Sequence, residues 1–287
     1  MGLLALTTVV VGAALFIWLR SDGDDGTDGS GPSPIASLDT PDVHSLVIDP
    51  TDPDRVLFGS HSGIMESRDG GFTWEAGTLR GKDAMALARS PQDPATIYVT
   101  GHDVFEVSRD GGVTWQPLVH DLPGTDIHAF AQDPLDPNVL YALVAGGGIF
   151  LSENGGANWL PLASQPPGES LAALAADGTR LLAATSDGIE ASGDRGATWH
   201  ALPAQPAGAS IALAMSPADP RTIYAGTPDG IARSTDGGES WTMLGPAATP
   251  ALALAVAPSD SLRIEFVAEG GGVYRSDDGG TTWRSPA

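Results

Sequence analysis

The 287-residue chain contains no cysteine, which excludes disulfide bonds and thiolate metal sites. Basic residues are also scarce, because 14 Lys and Arg stand against 36 Asp and Glu and leave a formal net charge of −22. Binding of nucleic-acid phosphates needs a basic face, so nucleic acid is not an expected partner. The chain is instead rich in Gly (37) and Pro (23), which favours many short strands joined by turns.

The N-terminal segment lacks charge. Residues 3–19 (LLALTTVVVGAALFIWL) are uncharged and are followed by Arg20. The length of this run is at the lower limit for a helix that spans a bilayer. No Lys or Arg precedes this run and no convincing A-x-A cleavage site follows it. Residues 1–20 are therefore predicted to form an uncleaved signal anchor, one N-terminal transmembrane helix. A cleaved signal peptide followed by secretion is the alternative.

The flanking charge gives little information on orientation. Arg20 is the only basic residue beside the run, and the positive-inside rule alone would place the following domain in the cytoplasm. An apolar N-terminal segment before an acidic domain most often exports that domain, so we expect a single-pass protein of the cell membrane with an extracytoplasmic domain. Residues 21–41 are predicted to be a disordered acidic linker rich in Gly, Ser and Pro, and residues 42–287 to be the folded domain.

An eight-residue frame, first seen as SRDGGFTW (67–74), occurs six times in the folded domain. A period near 40 residues with four strand-like segments per unit is typical of a β-propeller blade. The sequence therefore predicts an all-β fold, a six-bladed β-propeller of four-stranded antiparallel blades, preceded by the transmembrane helix. The tryptophans that end the frame are 40 to 44 residues apart, at Trp74, Trp115, Trp159, Trp199, Trp241 and Trp283.

The predicted innermost strands are apolar on both faces. In the second unit Met85 and Leu87 alternate with Ala84, Ala86 and Ala88, so one face is large and the other small. A strand that is apolar on both faces is buried on both, and stacking of large on small faces suits radial packing about an axis. The chain ends at WRSPA, inside a predicted fourth strand. The ring could close by packing of complete blades or by a strand from residues 35–42, and the sequence leaves both alternatives open.

The repeated frame resembles the Asp-box, or bacterial neuraminidase repeat, with the pattern S-x-[DN]-x-G-x-[TSN]-W. In that motif the Ser and Asp side chains hydrogen-bond the turn backbone, the glycine takes a positive φ, and the tryptophan fills space between strands. A residue with the same role in six blades is structural and not catalytic. The third residue of each frame is Asp69, Asp110, Asn154, Asp194, Asp236 or Asp278.

The resemblance covers residues 43–287 and implies a fold, not one activity. Similar propellers occur in the sialidase superfamily, in sortilin-like receptors, in photosystem II assembly factors and in secreted proteins described as glycosyl hydrolases. Sialidases use an arginine cluster and a tyrosine nucleophile with a carboxylate partner. Here Tyr98, Tyr141 and Tyr224 occupy one repeated second-strand position, and no Arg-Ile-Pro segment precedes the first frame, which argues against sialidase activity. HExxH, GxSxG, Walker-type and dinucleotide-binding motifs are also absent from the sequence.

Residues that break the repeat are the candidates for function. If the first strands start on a top face, that face also carries the links between blades and the turns from second to third strands. The tops of the first three blades then hold Asp42, Asp83, Asp103 and Asp126, whereas His200 falls on the opposite face. Five of the six histidines fall in the same top arc: His44, His61, His102, His120 and His128.

Imidazoles beside carboxylates at a funnel mouth could bind a divalent transition metal, or serve as acid–base groups on a bound glycan. The alternative is that polar residues simply populate exposed loops, and no other cofactor is expected. We predict a protein- or glycan-binding scaffold that works through the top-face funnel, with a glycoside hydrolase as the alternative function. A hydrolase would need two carboxylates roughly 5–10 Å apart. The top-face candidates are Asp42, Asp83, Asp126, Asp187, Asp229 and Glu269.

Overall fold

Short apolar strands alternate with glycine-rich turns and assemble into six separate four-stranded sheets. The computed structural model describes residues 32–40, 42–167, 170–178, 180–216, 218–245 and 249–286. Every pairing within a sheet is antiparallel, and in five of the six sheets each strand pairs with the next one along the chain. The predicted all-β, six-bladed propeller of four-stranded antiparallel blades is therefore confirmed.

The blades follow one another in sequence order. Blade 1 contains β2 (Ser45–Ile48), β3 (Val56–Ser60), β4 (Gly63–Ser67) and β5 (Glu75–Arg80). Blade 2 contains β6 (Ala86–Ser90), β7 (Asp93–Gly101), β8 (Val104–Ser108) and β9 (Gln116–Pro117). Blade 3 contains β10 (Ile127–Gln132), β11 (Leu140–Val144), β12 (Gly148–Ser152) and β13 (Leu160–Pro161).

The second half of the ring repeats this arrangement. Blade 4 contains β14 (Ser170–Ala176), β15 (Leu181–Thr185), β16 (Gly188–Ser192) and β17 (His200–Ala201). Blade 5 contains β18 (Ala212–Met215), β19 (Ile223–Thr227), β20 (Gly230–Ser234) and β21 (Thr242–Leu244). Blade 6 contains β22 (Ala251–Ala257), β23 (Asp260–Ala268), β24 (Gly272–Ser276) and, as its fourth strand, β1 (Ala36–Ser37).

Neighbouring blades pack a large face against a small one, as the alternation in the first strands predicts. Leu46 of blade 1 lies in one cluster with Ala253 of blade 6. Ala86 and Ala88 of blade 2 lie in one cluster with Phe130 of blade 3. The core is thus a ring of interfaces between blades, and the first strands pack closely around the axis.

The ring closes through the strand that precedes the first blade. Ala36 pairs with Val273 and Ser37 with Gly272, and the Leu38 N–H donates to the Gly271 carbonyl at 2.8 Å. Of the two alternatives that the sequence leaves open, the structure shows the one in which residues 35–42 supply a strand. The propeller therefore starts before residue 42, the predicted boundary.

The C-terminal residues do not form the predicted fourth strand. The Arg284 N–H donates to the Arg275 carbonyl at 2.8 Å, but no strand follows β24 in the described residues. β1 occupies the outer edge of blade 6 beside residues 272 and 273, so the last blade combines both ends of the folded domain.

The Asp-box turns form the bottom end of each blade and have the predicted hydrogen bonds. In the second box, Ser108 Oγ donates to Asp110 Oδ1 at 2.8 Å and accepts the Gly112 N–H at 2.7 Å. The other carboxylate oxygen accepts the Thr114 hydroxyl at 2.6 Å. Gly112 has φ of 91°, in the left-handed region that favours glycine. Each box is therefore a self-contained turn whose polar groups satisfy one another.

The box tryptophans also connect blades. The indole N–H of Trp74 and that of Trp159 donate to the glycine carbonyl of their own box, at 2.9 Å. Three other tryptophans reach the preceding blade or the segment that follows it. These bonds run from Trp115 to Thr78, from Trp199 to Ser164 and from Trp241 to Ala204, at 2.9 to 3.0 Å. The boxes thus hold turns and neighbouring blades together, which is a structural role.

The predicted anchor, residues 1–20, and the part of the predicted linker up to residue 31 lie outside the described residues. Where the structure describes the chain, no helix is long and apolar enough to cross a membrane.

Leu38 tests the importance of ring closure. Its side chain is only 4% exposed and packs with the core between blades 1 and 6. Leu38→Ala is expected to lower the free energy of unfolding by about 2–5 kcal/mol, because it removes buried apolar atoms and leaves a cavity. Leu262→Ala is the matched control, since Leu262 is exposed in β23, and should change it by less than about 0.5 kcal/mol. Equal effects of the two changes in urea denaturation would show that closure by β1 contributes little.

The box aspartates predict loss of stability in acid. Hydrogen bonds from Thr114 and Ser108 lower the pKa of Asp110 from 3.8 to about 2. A carboxyl whose pKa is lower in the folded state stabilises the fold above its unfolded pKa, and this contribution is lost as the pH falls from about 4 towards 2. Asp110→Asn is expected to destabilise the protein at neutral pH and to reduce the acid-dependent loss.

The third box provides the control for this prediction. There Asn154 accepts the Ser152 hydroxyl at 3.0 Å and donates to Asn158 at 3.0 Å, so the same turn forms without a carboxylate. Asn154→Asp should therefore add an acid-sensitive contribution. Urea denaturation at neutral pH and at several values between pH 4 and pH 2 measures both effects. Parallel pH profiles for the wild type and both variants would contradict the prediction.

Candidate functional site

The first strands surround a channel with an apolar wall. Leu46, Leu87 and Phe130 line both its upper and its lower part, and His44 lies at the upper end. These apolar side chains belong to the packed interfaces between blades and offer few polar groups to a ligand. Polar side chains lie at the two ends of the channel, with Arg89 and Gln132 at the lower end and a larger group at the upper rim.

Seven polar side chains form a curved row at the upper rim, along blades 1, 2 and 3. Each of these blades contributes an Asp just before or at the start of its first strand. Blades 1 and 2 add a His in the turn from the second to the third strand, and blades 1 and 3 add a His at the first strand. We call this row the His–Asp arc, and its members are Asp42, His44, His61, Asp83, His102, Asp126 and His128.

The blade 1 end of the arc is a tight group of three. Asp42 Oδ2 lies 3.0 Å from Nε2 of His44 and 2.9 Å from Nδ1 of His61, and these two nitrogens are 3.1 Å apart. The same oxygen accepts the backbone N–H of His61 at 2.6 Å, which fixes the turn onto the start of the first strand. Three potential ligand atoms therefore converge within hydrogen-bonding distance of one another.

Asp83 repeats this anchoring in blade 2 and joins the two blades. Its Oδ2 accepts the backbone N–H of His102 at 2.9 Å and lies 2.5 Å from Nδ1 of the same residue. Its Oδ1 faces blade 1 and lies 4.0 Å from Nε2 of His61. Asp83 is only 9% exposed, so a buried carboxylate sits at the centre of the arc.

The blade 3 end is held by a backbone connection. His102 and Asp126 form an isolated antiparallel bridge. Asp103, with φ of 55°, receives the Thr125 hydroxyl on its carboxylate at 2.6 Å. Asp126 Oδ1 then lies 3.3 Å from Nε2 of His102 and 2.8 Å from Nε2 of His128. A second group of two imidazoles and one carboxylate results.

Several atoms of the arc are buried without a hydrogen-bond partner. They are Asp42 Oδ1, Asp83 Oδ1, Asp126 Oδ1 and His128 Nε2. Although Asp126 Oδ1 and His128 Nε2 are only 2.8 Å apart, their orientation is not that of a hydrogen bond. Buried polar atoms are normally paired, so the arc has an unfilled capacity for a cation or for hydrogen-bond donors.

Charge at the rim depends on the histidines. Burial lowers the pKa of His44, and the neighbouring His61 lowers it further, whereas Asp42 raises it. His44 is therefore held towards the neutral form, in which a ring nitrogen has a lone pair for a cation or a donor.

The structure brings four of the five candidate histidines together and separates the fifth. His120 lies in the link between blades 2 and 3, where its Nδ1 accepts the Leu122 N–H at 3.2 Å and its ring packs 5.1 Å from that of Phe105. Burial also lowers the pKa of His120. His120 is thus a packing residue of the link and is not part of the arc.

Of the six acidic side chains that the sequence offers to a hydrolase, three belong to the arc and three do not. Asp42, Asp83 and Asp126 belong to the arc. Asp187, Asp229 and Glu269 lie in the exposed turns of blades 4, 5 and 6.

One regularity in the sequence was not recognised in advance. Asp42 and His61 are 19 residues apart, and so are Asp83 and His102, and in both pairs the carboxylate accepts the backbone N–H of the histidine.

The fold, the boxes and the arc together define an Asp-box β-propeller with a polar cluster on one face. The resemblance on which the sequence analysis relied is confirmed. Residues 36–164 match the family model described as Photosynthesis system II assembly factor YCF48. The match starts at β1 and extends through blade 3, so it contains all seven residues of the arc.

Solved structures with a similar fold include GH74 enzymes and YCF48 proteins. The GH74 xyloglucanase from Xanthomonas campestris has a TM-score of 0.59 at 19% identity, with 83% of this chain and 45% of that chain covered. YCF48 from Cyanidioschyzon merolae has a TM-score of 0.57 at 21% identity, covering 89% and 88%. YCF48 bound to a D1 peptide has a TM-score of 0.55 at 19% identity, covering 90% and 87%.

These likenesses show the fold alone at such identities. The chain spans 45% of the length of the xyloglucanase and most of the length of the YCF48 proteins. No curated protein sequence matches the chain.

Proposed function

We propose that this propeller is a binding or scaffold module that receives a protein partner on its top face, over blades 1 to 3. The observation that carries the proposal is the His–Asp arc, where the repeat breaks and polar atoms without partners meet at the rim of the channel. The other repeated polar residues act as turn and blade connections. A protein partner is supported by the likeness to YCF48 bound to a D1 peptide, which shares the fold.

The chemistry of the arc favours recognition through polar contacts. The general expectation for a binding module is an exposed aromatic or apolar patch, where a hydrolase would have a pair of carboxylates. The large apolar side chains that are exposed in the described part of the chain, such as Val113, Leu135 and Met243, lie outside the arc. The carboxylate oxygens that lack partners would instead accept N–H donors or positive charge from a bound segment.

In this proposal the N-terminal residues tether the propeller. Residues 1–20 anchor it to a membrane, and the acidic domain lies outside the cytoplasm, with a linker between the anchor and β1. Membrane fractionation with carbonate extraction, combined with protease accessibility, tests this part. Release of the full chain into the soluble fraction would contradict the anchor without affecting the proposed partner site.

A glycan ligand or glycoside hydrolysis is the alternative for the same surface. It is supported by the fold shared with the GH74 xyloglucanase and by the three carboxylates of the arc. Release of reducing ends from xyloglucan, lost in Asp83→Asn, would favour this alternative over a protein-binding scaffold.

The absence of cysteine allows a direct test of the binding face. Ser62→Cys places one thiol beside His61 in an exposed top turn, and Val113→Cys places one in a box turn, where Val113 is 63% exposed. Each variant, labelled with a thiol-reactive photocrosslinker, is illuminated in the native membrane or extract. We expect discrete protein adducts from Ser62→Cys and much weaker ones from Val113→Cys.

The dependence on the arc is tested in the same background. Adding His61→Ala to Ser62→Cys removes an imidazole of the arc and keeps the thiol, so the adducts are expected to decrease. Equal labelling from both faces, or adducts that do not change when His61 is removed, would contradict a partner site at the arc.

A further inference from the structure

We propose that the His–Asp arc binds two divalent transition-metal ions, one at each end, and that the buried Asp83 orients a histidine of each site. Site A consists of Asp42, His44 and His61, and site B of His102, Asp126 and His128. This inference goes beyond the proposed function, because metal binding requires only residues of this chain.

The donor atoms suit such ions. Two neutral imidazoles and one carboxylate form a ligand set that zinc and ferrous iron accept with open coordination positions. At metal–ligand bonds near 2.1 Å, ligand atoms in a tetrahedral site are roughly 3.4 Å apart. The corresponding distances are 2.9 to 3.1 Å in site A and include 3.3 Å and 2.8 Å in site B. Site A, and the two contacts of Asp126 in site B, therefore need to change by only about half an ångström or less.

Hydrogen bonds alone do not account for this convergence. In site A three ligand atoms lie mutually within 3.1 Å, but only the contact between His44 Nε2 and His61 Nδ1 has hydrogen-bond geometry, and the two contacts of Asp42 Oδ2 with the imidazoles do not. In site B the close pair Asp126 Oδ1 and His128 Nε2 is buried and lacks hydrogen-bond geometry. A cation placed between them would satisfy both atoms at once.

The two end groups, and not the middle one, have the favourable arrangement. His61, Asp83 and His102 also lie within reach of one ion, but a metal there would use a histidine from each end group. A neutral imidazole has only one lone pair for a metal, because its other nitrogen carries the proton. Asp83 Oδ2 is already engaged by the backbone N–H and the Nδ1 of His102.

Asp83 then has the role of an outer carboxylate. Metal-bound histidines commonly donate the other ring N–H to a carboxylate, which fixes the tautomer and the orientation of the ring. Asp83 Oδ2 is 2.5 Å from His102 Nδ1, so the His102 Nε2 is left for site B. Asp83 Oδ1, buried and without a partner, faces His61 Nε2 at 4.0 Å, beyond hydrogen-bonding distance, and would accept its N–H after a small shift of the ring when His61 Nδ1 binds the ion of site A. Asp83 is therefore a positioning residue for both sites.

The test uses the full chain, purified without a histidine tag and treated with a chelator. Zinc is added and bound metal is measured by elemental analysis after buffer exchange, while binding is followed by calorimetry. Cobalt is added in parallel, because its visible spectrum reports the coordination of the ion. We expect two ions per wild-type chain.

Single variants separate the sites. His44→Ala should leave one ion per chain, bound at site B, and His128→Ala should leave one ion, bound at site A. The double variant should bind none, and His200→Ala, which changes an exposed histidine of blade 4 outside the arc, should still bind two. Circular dichroism and the thermal midpoint of each variant establish that it is folded.

Asp83→Asn tests the positioning role, since it removes no ligand. Affinity at both sites is expected to fall by about 10- to 100-fold, and the cobalt spectrum is expected to change. Less than one ion per wild-type chain, or full metal content in the folded double variant, would overturn the proposal. One ion that survives both single variants and is lost in Asp83→Asn would overturn the two-site assignment in favour of the middle group. Metal content is measured without a partner, so its result does not depend on the crosslinking experiment.

Discussion

Packing of alanine faces against larger apolar faces around the axis is the constraint on which the rest of this propeller depends. It brings the backbones of neighbouring blades so close that some positions tolerate only glycine. A Cβ at Gly59 would lie 2.4 Å from the Ala84 carbonyl oxygen. Gly59 precedes the His61 turn by two residues, and Ala84 follows Asp83. The close approach of the two backbones therefore sets how near His61 can come to Asp83, and the arc is a consequence of the packing beneath it.

Stability of the ring has to come from contacts that are distant in sequence. The boxes close their own turns, and Trp115, Trp199 and Trp241 extend hydrogen bonds to the preceding part of the ring. Between the last blade and the first, β1 adds its pairing with β24, and Arg263 and Arg275 of blade 6 bind Asp54 and the Gly70 carbonyl of blade 1. Such pairing must overcome the entropy of closing a very long loop, which the burial of Ile35 and Leu38 offsets.

The repeated parts of the molecule could be predicted from the sequence, because each of them occurs there several times. The box frame, its period and the large and small faces of the first strands predict the six blades without knowledge of any contact. The closing strand could not be deduced, because β1 has only two paired residues and its partner is more than 200 residues away. Sequence position also placed His120 with the other histidines. Its ring turns towards Phe105, and a side-chain orientation of this kind is decided by packing that the sequence does not display.

The position of the arc bears on how partner and metal could act together. The described residues of the channel wall below it are mostly apolar, so the proposed partner would find most of its polar contacts at the rim. The side chains of His61 and His102 are each 51% exposed, which makes both ends of the arc accessible from above. An ion held by three ligands from this chain keeps a coordination position for water or for a side chain of the partner. Binding free energies are reciprocally linked, so a metal that strengthens partner binding would itself be bound more tightly in the complex. The polar rim would then couple two binding events at one surface.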